Sequence, residues 1–164
     1  MINTKKMSET KSYHQLYDKT DVNIMKWAED SLNPKVDRIE EIILFAKESG
    51  IKHLGIANCI SFQKEAEWLH QYLNDSGFIV SRINCKHGRM PMSDIIADYK
   101  GVSCNPAGQA QYLEEKNTEL NIMMGLCLGH DMVFNAKSKA PVTPLIVKDR
   151  ALGHHTLKKM DTKD

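Results

Sequence analysis

Four short apolar runs, "IKHLGIANC", "FIVSRINC", "LNIMMGLC" and "PVTPLIVKDR", alternate with stretches whose apolar residues recur at three- and four-residue steps. This alternation constrains the fold more than any other feature. Short runs that are apolar almost throughout, bounded by glycine and polar residues, read as strands buried on both faces. Between the first two, Ala66, Leu69 and Leu73 with the rings of Trp68 and Tyr72 make a helical stripe that stops at "DSG". "CNPAGQAQYLEEKN", with asparagine and proline at its opening, supplies a helix before the third run, and "HDMVFNAKSK" a shorter one before the fourth, where Pro141 and Pro144 stand near the strand's start. Strands joined by such helices form right-handed crossovers. The pattern therefore predicts an α/β protein, a three-layer Rossmann-like domain with a mainly parallel sheet of about four strands and helices on both faces.

Ahead of the first strand, Leu16, Ile24, Trp27 and Ala28 allow one helix or two short ones between Tyr13 and Ser31. Asn33 followed by Pro34 predicts the start of a helix that carries Ile39, Ile42, Ile43 and Ala46 on one face and stops at Gly50. "MINTKKMSET" and "KKMDTKD" are polar and nearly free of branched apolar residues. The expected organisation is a disordered tail over residues 1–12, a single α/β domain over 13–155 and a second disordered tail over 156–164.

With 22 basic and 21 acidic residues the charge is balanced, which disfavours nucleic acid and anionic membranes as partners. No stretch approaches the roughly 18 apolar residues of a membrane span, and the first residues form no apolar signal core. The expected setting is cytoplasmic and the expected partner a small-molecule ligand, with a homodimer left open. Four cysteines in such a setting read as free thiols or metal ligands rather than disulfides. No C-x-x-C pair occurs, and neither do the glycine-rich fingerprints of dinucleotide or P-loop sites.

The positions of those cysteines carry the chemistry. Cys59, Cys85 and Cys127 end the first, second and third strands, and Cys104 stands at the mouth of the intervening helix. In a doubly wound sheet all four fall on the carboxyl edge, where such folds bind their ligands. Several thiolates converging there suit zinc or an iron-sulfur cluster better than a hard cation, which makes Cys59, Cys85, Cys104 and Cys127 the candidate metal ligands. Cys104 precedes a helix N-terminus, whose dipole favours a thiolate, so it is the candidate nucleophile. His130 is a candidate ligand or proton donor, and Asp131 its acceptor or simply a helix cap. Asn105 and Gln109 at the start of that helix, with Lys148 and Arg150 after the fourth strand, are the candidate cofactor- or anion-binding residues. Met90 and Met92 belong to a long mobile segment following Cys85. His87 lies two residues after Cys85, while His14, His53 and His70 fall away from this edge. Cys59 and Cys127 are expected to be the closest pair because their strands should be neighbours, with Cys85 the least certain member.

The segments "GIANCISFQKEAEWL", "CNPAGQAQ", "TELNIMMGLCLGHDMVF" and "SKAPVTPLIVKDRALGH" together resemble a prokaryotic family of unknown function whose members are commonly labelled metal-binding proteins. The resemblance runs from Arg38 to His154 and implies a cysteine-bearing, metal-binding α/β protein without an established reaction. Relatives in that family carry a further cysteine-rich segment where this chain reads "MINTKKMSETKSYHQLYDKTD", so no ligand from it is carried over. "GHHT" replaces their Gly-His-Asn-Pro, so no role is inherited by His155.

Three functions compete on this reading. One is an iron-sulfur cluster or zinc at the sheet edge, catalytic if a position stays open. Another is metal-free thiol or persulfide redox chemistry with Cys104 as nucleophile. The last is a non-catalytic small-molecule sensor or interaction module.

Overall fold

The computed structural model describes residues 13–161, so the expected tail over residues 1–12 and the last three residues lie outside it. Nine regular elements follow in chain order: α1 (Lys19–Asp30), α2 (Arg38–Ser49), β1 (His53–Asn58), α3 (Gln63–Asp75), β2 (Ile79–Asn84), α4 (Pro106–Glu115), β3 (Leu120–Met124), α5 (His130–Lys137) and β4 (Val142–Ile146). The four strands form one parallel sheet in the order β2-β1-β3-β4. The chain steps outward from β1 to β2 and then returns to the other side of β1, so the winding reverses between β1 and β3, as expected for a Rossmann-like domain.

Alternate strand residues feed two cores. Leu54, Ile56, Leu120, Ile122 and Met124 meet Ile42, Ile43 and Ala46 of α2 and Ala66, Leu69 and Leu73 of α3. On the opposite face Ala57 and Met123 pack with Ala110 and Leu113 of α4 and Phe134 of α5. That period of two, covered by helices on both faces, is the three-layer arrangement read from the sequence. β4 is an edge strand, which accommodates Pro144, and its pairing with β3 shifts register between Met123 and Met124. No helix among the described residues is long and apolar enough to cross a membrane.

Three local expectations change. α2 does not start at Asn33-Pro34: Asn33 Oδ1 accepts from Lys35 N (3.1 Å) to make a turn, while Asp37 caps the helix by accepting from the amides of Ile39 (2.9 Å) and Glu40 (3.1 Å). The helix ends at Gly50 as expected, with φ +76°. The third strand stops at Met124, earlier than "LNIMMGLC" suggested, because Gly125 turns the chain at φ +61°. The segment after Cys85 is a closed excursion rather than a loose one. Pro91 and Val102 form an antiparallel bridge, Met92 N donates to Gly101 O (2.8 Å) and Ser103 N to Met90 O (2.8 Å). Beyond the sheet, Thr156–Lys159 form an exposed 3-10 turn.

Candidate functional site

Sheet pairing, continued one residue past each strand, delivers the first two thiols. Cys59 N donates to Met124 O (3.0 Å) and Cys85 N to Asn58 O (2.9 Å). Both residues are buried, at 4% and 2% exposure. Cys104 comes back to the same edge when the excursion closes, because Asn105 N donates to Cys85 O (2.7 Å). The sulfurs of Cys85 and Cys104 are then 3.6 Å apart, with the Ile60 amide donating to Cys85 Sγ (3.3 Å).

Two cations complete the edge. Lys148 Nζ donates to Cys59 Sγ (2.8 Å) and lies 3.3 Å from Ser61 Oγ; Arg150 Nη2 donates to Cys127 Sγ (3.2 Å). Both are held by a tight turn after β4, in which Asp149 N donates to His154 Nδ1 (3.0 Å), His154 N to Asp149 O (2.7 Å) and Leu152 N to Asp149 Oδ1 (3.1 Å). The His154 ring meets the Phe62 ring edge-on with centroids 4.7 Å apart, and Lys148 Nζ lies 5.8 Å from the centre of the same ring. Phe62 fits there only because residue 125 is glycine: a Cβ on Gly125 would stand 2.0 Å from the ring, and its φ of +61° disfavours other residues as well.

These surroundings split the thiols electrostatically. Burial pushes the Cys59 thiol up, but the Lys148 ammonium and the amide and hydroxyl of Ser61 outweigh it and bring the pKa down to about 7. Burial also pushes the Cys85 thiol up, and with Cys104 alongside, the single amide bond from Ile60 does not compensate, leaving a pKa of about 12. A thiolate near neutrality thus sits beside a dithiol with one firmly protonated member.

The remaining candidates fall into place around this core. Asn105 is a structural cap: its Oδ1 accepts from Gly108 N (2.8 Å) and its Nδ2 donates to His87 O (3.2 Å). Gln109 is fully buried and clamps α4 to the ends of β1 and β2, donating to Asn58 O and Ile83 O at 3.1 Å each. Asp131 lies in the first turn of α5 rather than at its cap, and its Oδ1 accepts from Gly129 N (2.9 Å) and Met132 N (2.8 Å). The amides of His130 and Asp131 donate to Cys127 O, whereas no hydrogen bond among the described residues joins the His130 ring to Cys104. His87 packs on Tyr112 at 5.5 Å.

The expected proximity changes too. Cys59 and Cys127 each face a cation, and the sulfurs in contact are Cys85 and Cys104. The Gly125 turn carries Cys127 past the end of β3 towards Arg150, while the closed excursion returns Cys104 to Cys85. Sequence reasoning passed over Ser61, Phe62, Gly125 and Asn58. Asn58 is fully buried, donates to Cys59 O (2.9 Å) and Gln63 Oε1 (3.3 Å), and leaves its Oδ1 without a partner among the described residues. Their signal was adjacency, since all four flank the ends of β1 and β3.

Among the described residues no three His, Cys, Asp or Glu side chains gather into a group able to hold a metal ion. A shared metal would have to displace Lys148 and Arg150 from their sulfurs. The donor set as arranged does not fit zinc or an iron-sulfur cluster. None of the four cysteines is in a disulfide.

A doubly wound parallel sheet with four free cysteines at or just beyond its carboxyl edge, two of them bonded to cations, defines the class: a Rossmann-like α/β protein with a thiol-lined switch point. Within that class the chain belongs to the family described as "Protein of unknown function (DUF1847)", which it matches over residues 2–145. A relative described as an uncharacterized protein of Methanocaldococcus jannaschii is 43% identical over 134 residues, covering 79% of this chain and 69% of the relative.

Proposed function

We propose that this is a thiol-based redox protein in which Cys59 is the nucleophile and Cys85 and Cys104 form the electron-donating dithiol. The observation that carries the reading is the Lys148 Nζ at 2.8 Å from Cys59 Sγ, beside a pair of sulfurs 3.6 Å apart. A lysine donating to a thiol stabilises the thiolate, the form that attacks sulfur. The nucleophile therefore moves from Cys104 to Cys59.

The chemistry follows as thiol–disulfide exchange with a small-molecule disulfide as oxidant. Cys59 thiolate attacks one sulfur, a Cys59–sulfur bond forms and the second half leaves as a thiolate. Cys85, whose sulfur is held by the amide of the residue after Cys59, gives up its proton to the departing thiolate as it displaces the first half, giving a Cys59–Cys85 bond and a second small thiol. Cys104 attacks Cys85, which closes the Cys85–Cys104 disulfide and returns Cys59 as thiolate. The net change is one small disulfide reduced to two thiols and one protein dithiol oxidised, with the two thiol protons passing to the products. Cys59 is 4% exposed and hydrogen-bonded by Lys148 from the turn after β4, so the exchange requires that side chain to move off the sulfur as a substrate reaches it.

Timed alkylation of the reduced protein with iodoacetamide, mapped by mass spectrometry, tests the assignment. Cys59 should be modified first, at half-maximal rate near pH 7. Slow modification of all four cysteines at that pH, or a stoichiometric metal in protein purified without oxygen, would overturn it.

A further inference from the structure

The reading of Cys59 as nucleophile leaves the substrate open, and the two cations of this edge, Lys148 at Cys59 and Arg150 at Cys127, narrow the choice. Lys148 and Arg150 have no carboxylate within 4.0 Å among the described residues, where the ion pairs are Lys26–Asp30 and Arg38–Glu41, both on helices away from the thiols. The carboxylates of the edge are already turned onto backbone amides, Asp149 onto Leu152 N and Asp131 onto Gly129 N. Arg150 is exposed and has one N–H on Cys127, which leaves the rest of its guanidinium fork to solvent. The chain as a whole carries a formal charge of only +1, so two cations without carboxylate partners beside two thiols are a local arrangement and not an overall excess.

We propose that the substrate reaching Cys59 is a small anion carrying an S–S bond, its negative group bound by Arg150 and Lys148 while one of its sulfurs meets Cys59. A guanidinium fork suits a carboxylate or sulfonate, and a sulfur electrophile is the partner that the adjacent dithiol is placed to reduce. The bond formed is Cys59 Sγ to substrate sulfur and the bond broken is the substrate S–S, with the electron pair leaving on the departing thiolate. This proposal rests on the thiol reading above.

Three disulfide probes differing in charge separate the two ideas: dithiodipropionate (anionic), bis(2-hydroxyethyl) disulfide (neutral) and cystamine (cationic). Each is reacted with the full reduced chain, and the rate of mixed-disulfide formation at Cys59 is normalised to a free thiol in the same buffer, which removes leaving-group differences. At low salt the anionic probe should react about tenfold faster than the cationic one, and the preference should shrink towards unity in half-molar salt, where screening shortens to a few ångströms. Arg150→Gln should reduce the ratio to about twofold; the salt series reads the same effect without a substitution. Equal normalised rates, or a preference for cystamine, with Cys59 still quick towards uncharged iodoacetamide would overturn the anion proposal and leave the nucleophile standing. Sluggish Cys59 towards iodoacetamide would remove both.

Discussion

The two ends of the sheet are built from the same strands and do opposite things. At the carboxyl end thiols and cations are hydrogen-bonded to one another, with Cys59 and Cys85 buried. At the amino end lies a groove of about 520 Å³ under α1, lined by Ile24, Trp27, Ile42, Phe45, Leu120 and Val142. There Glu119 satisfies the amides that start β1, accepting from Lys52 N (2.8 Å) and His53 N (2.9 Å) through one oxygen. The groove is lined by no cysteine, and the thiols stand at the other end of the sheet. The groove does not coincide with the thiols, whereas the carboxyl edge named by the topological rule for doubly wound sheets does.

The contrast breaks most readily at Gly125. Gly125→Ala should destabilise the fold by about 3 kcal/mol, from the left-handed backbone plus the collision with Phe62, and should abolish preferential alkylation of Cys59. Gln109→Ala comes next. It removes two buried donations to Asn58 O and Ile83 O and should cost about 2 kcal/mol by thermal or denaturant unfolding.

Lys148→Met should leave the protein folded while slowing alkylation of Cys59 at pH 7 about tenfold and moving its half-maximal rate to higher pH, because burial is then opposed by Ser61 alone. The two thiol shifts also shape stability against pH. Cys59, depressed from about 9 to about 7, adds stability as pH rises from 7 to 9, where the unfolded chain still holds that proton. Cys85, raised to about 12, withdraws stability between 9 and 12, where the folded chain alone holds its proton. Reversible unfolding of the reduced protein should therefore show a maximum near pH 9 from these two groups, and a curve that only falls above pH 7 would contradict the assignment.

The smallest effect belongs to the other end. Glu119→Gln should cost about 0.5 kcal/mol, since the carboxylate is exposed and screened. The amides of Lys52 and His53 hold its pKa below the usual value, so its contribution is present above the ordinary carboxylate range and fades as pH falls through the lowered pKa. Cys59 reactivity should be unchanged in this variant, and a change there would mean the two ends are coupled.

The fold was largely legible because its signals are local. Leu54 and Ile56, and Leu120 with Ile122 and Met124, show the buried strands within a few residues, and Gly50 and Asn105 announce a helix end and a helix start. Asn33-Pro34 misled because a competing cap, Asp37, stood four residues on with acidic residues in the first turn behind it. The candidate site was legible as an edge but not as a set of pairs. Cys59 and Lys148 are 89 residues apart and Cys127 and Arg150 are 23, so which cation meets which sulfur depends on the turn after β4. The meeting of Cys85 with Cys104 depends on the Pro91–Val102 bridge, which no periodicity announces.

That bridge has a mechanical consequence. Cys85 and Cys104 stand at the two feet of an arch, 19 residues apart in sequence, already drawn together without a covalent tie. Oxidation across the feet would add a cross-link where the native shape already has the ends together, so the constraint would fall mainly on the unfolded chain, removing roughly 3 kcal/mol of loop-closure entropy. The arch would act as a gauge of the dithiol's oxidation state: a looser, more readily cleaved loop when reduced and a stapled one when oxidised, with the sheet beneath it unchanged.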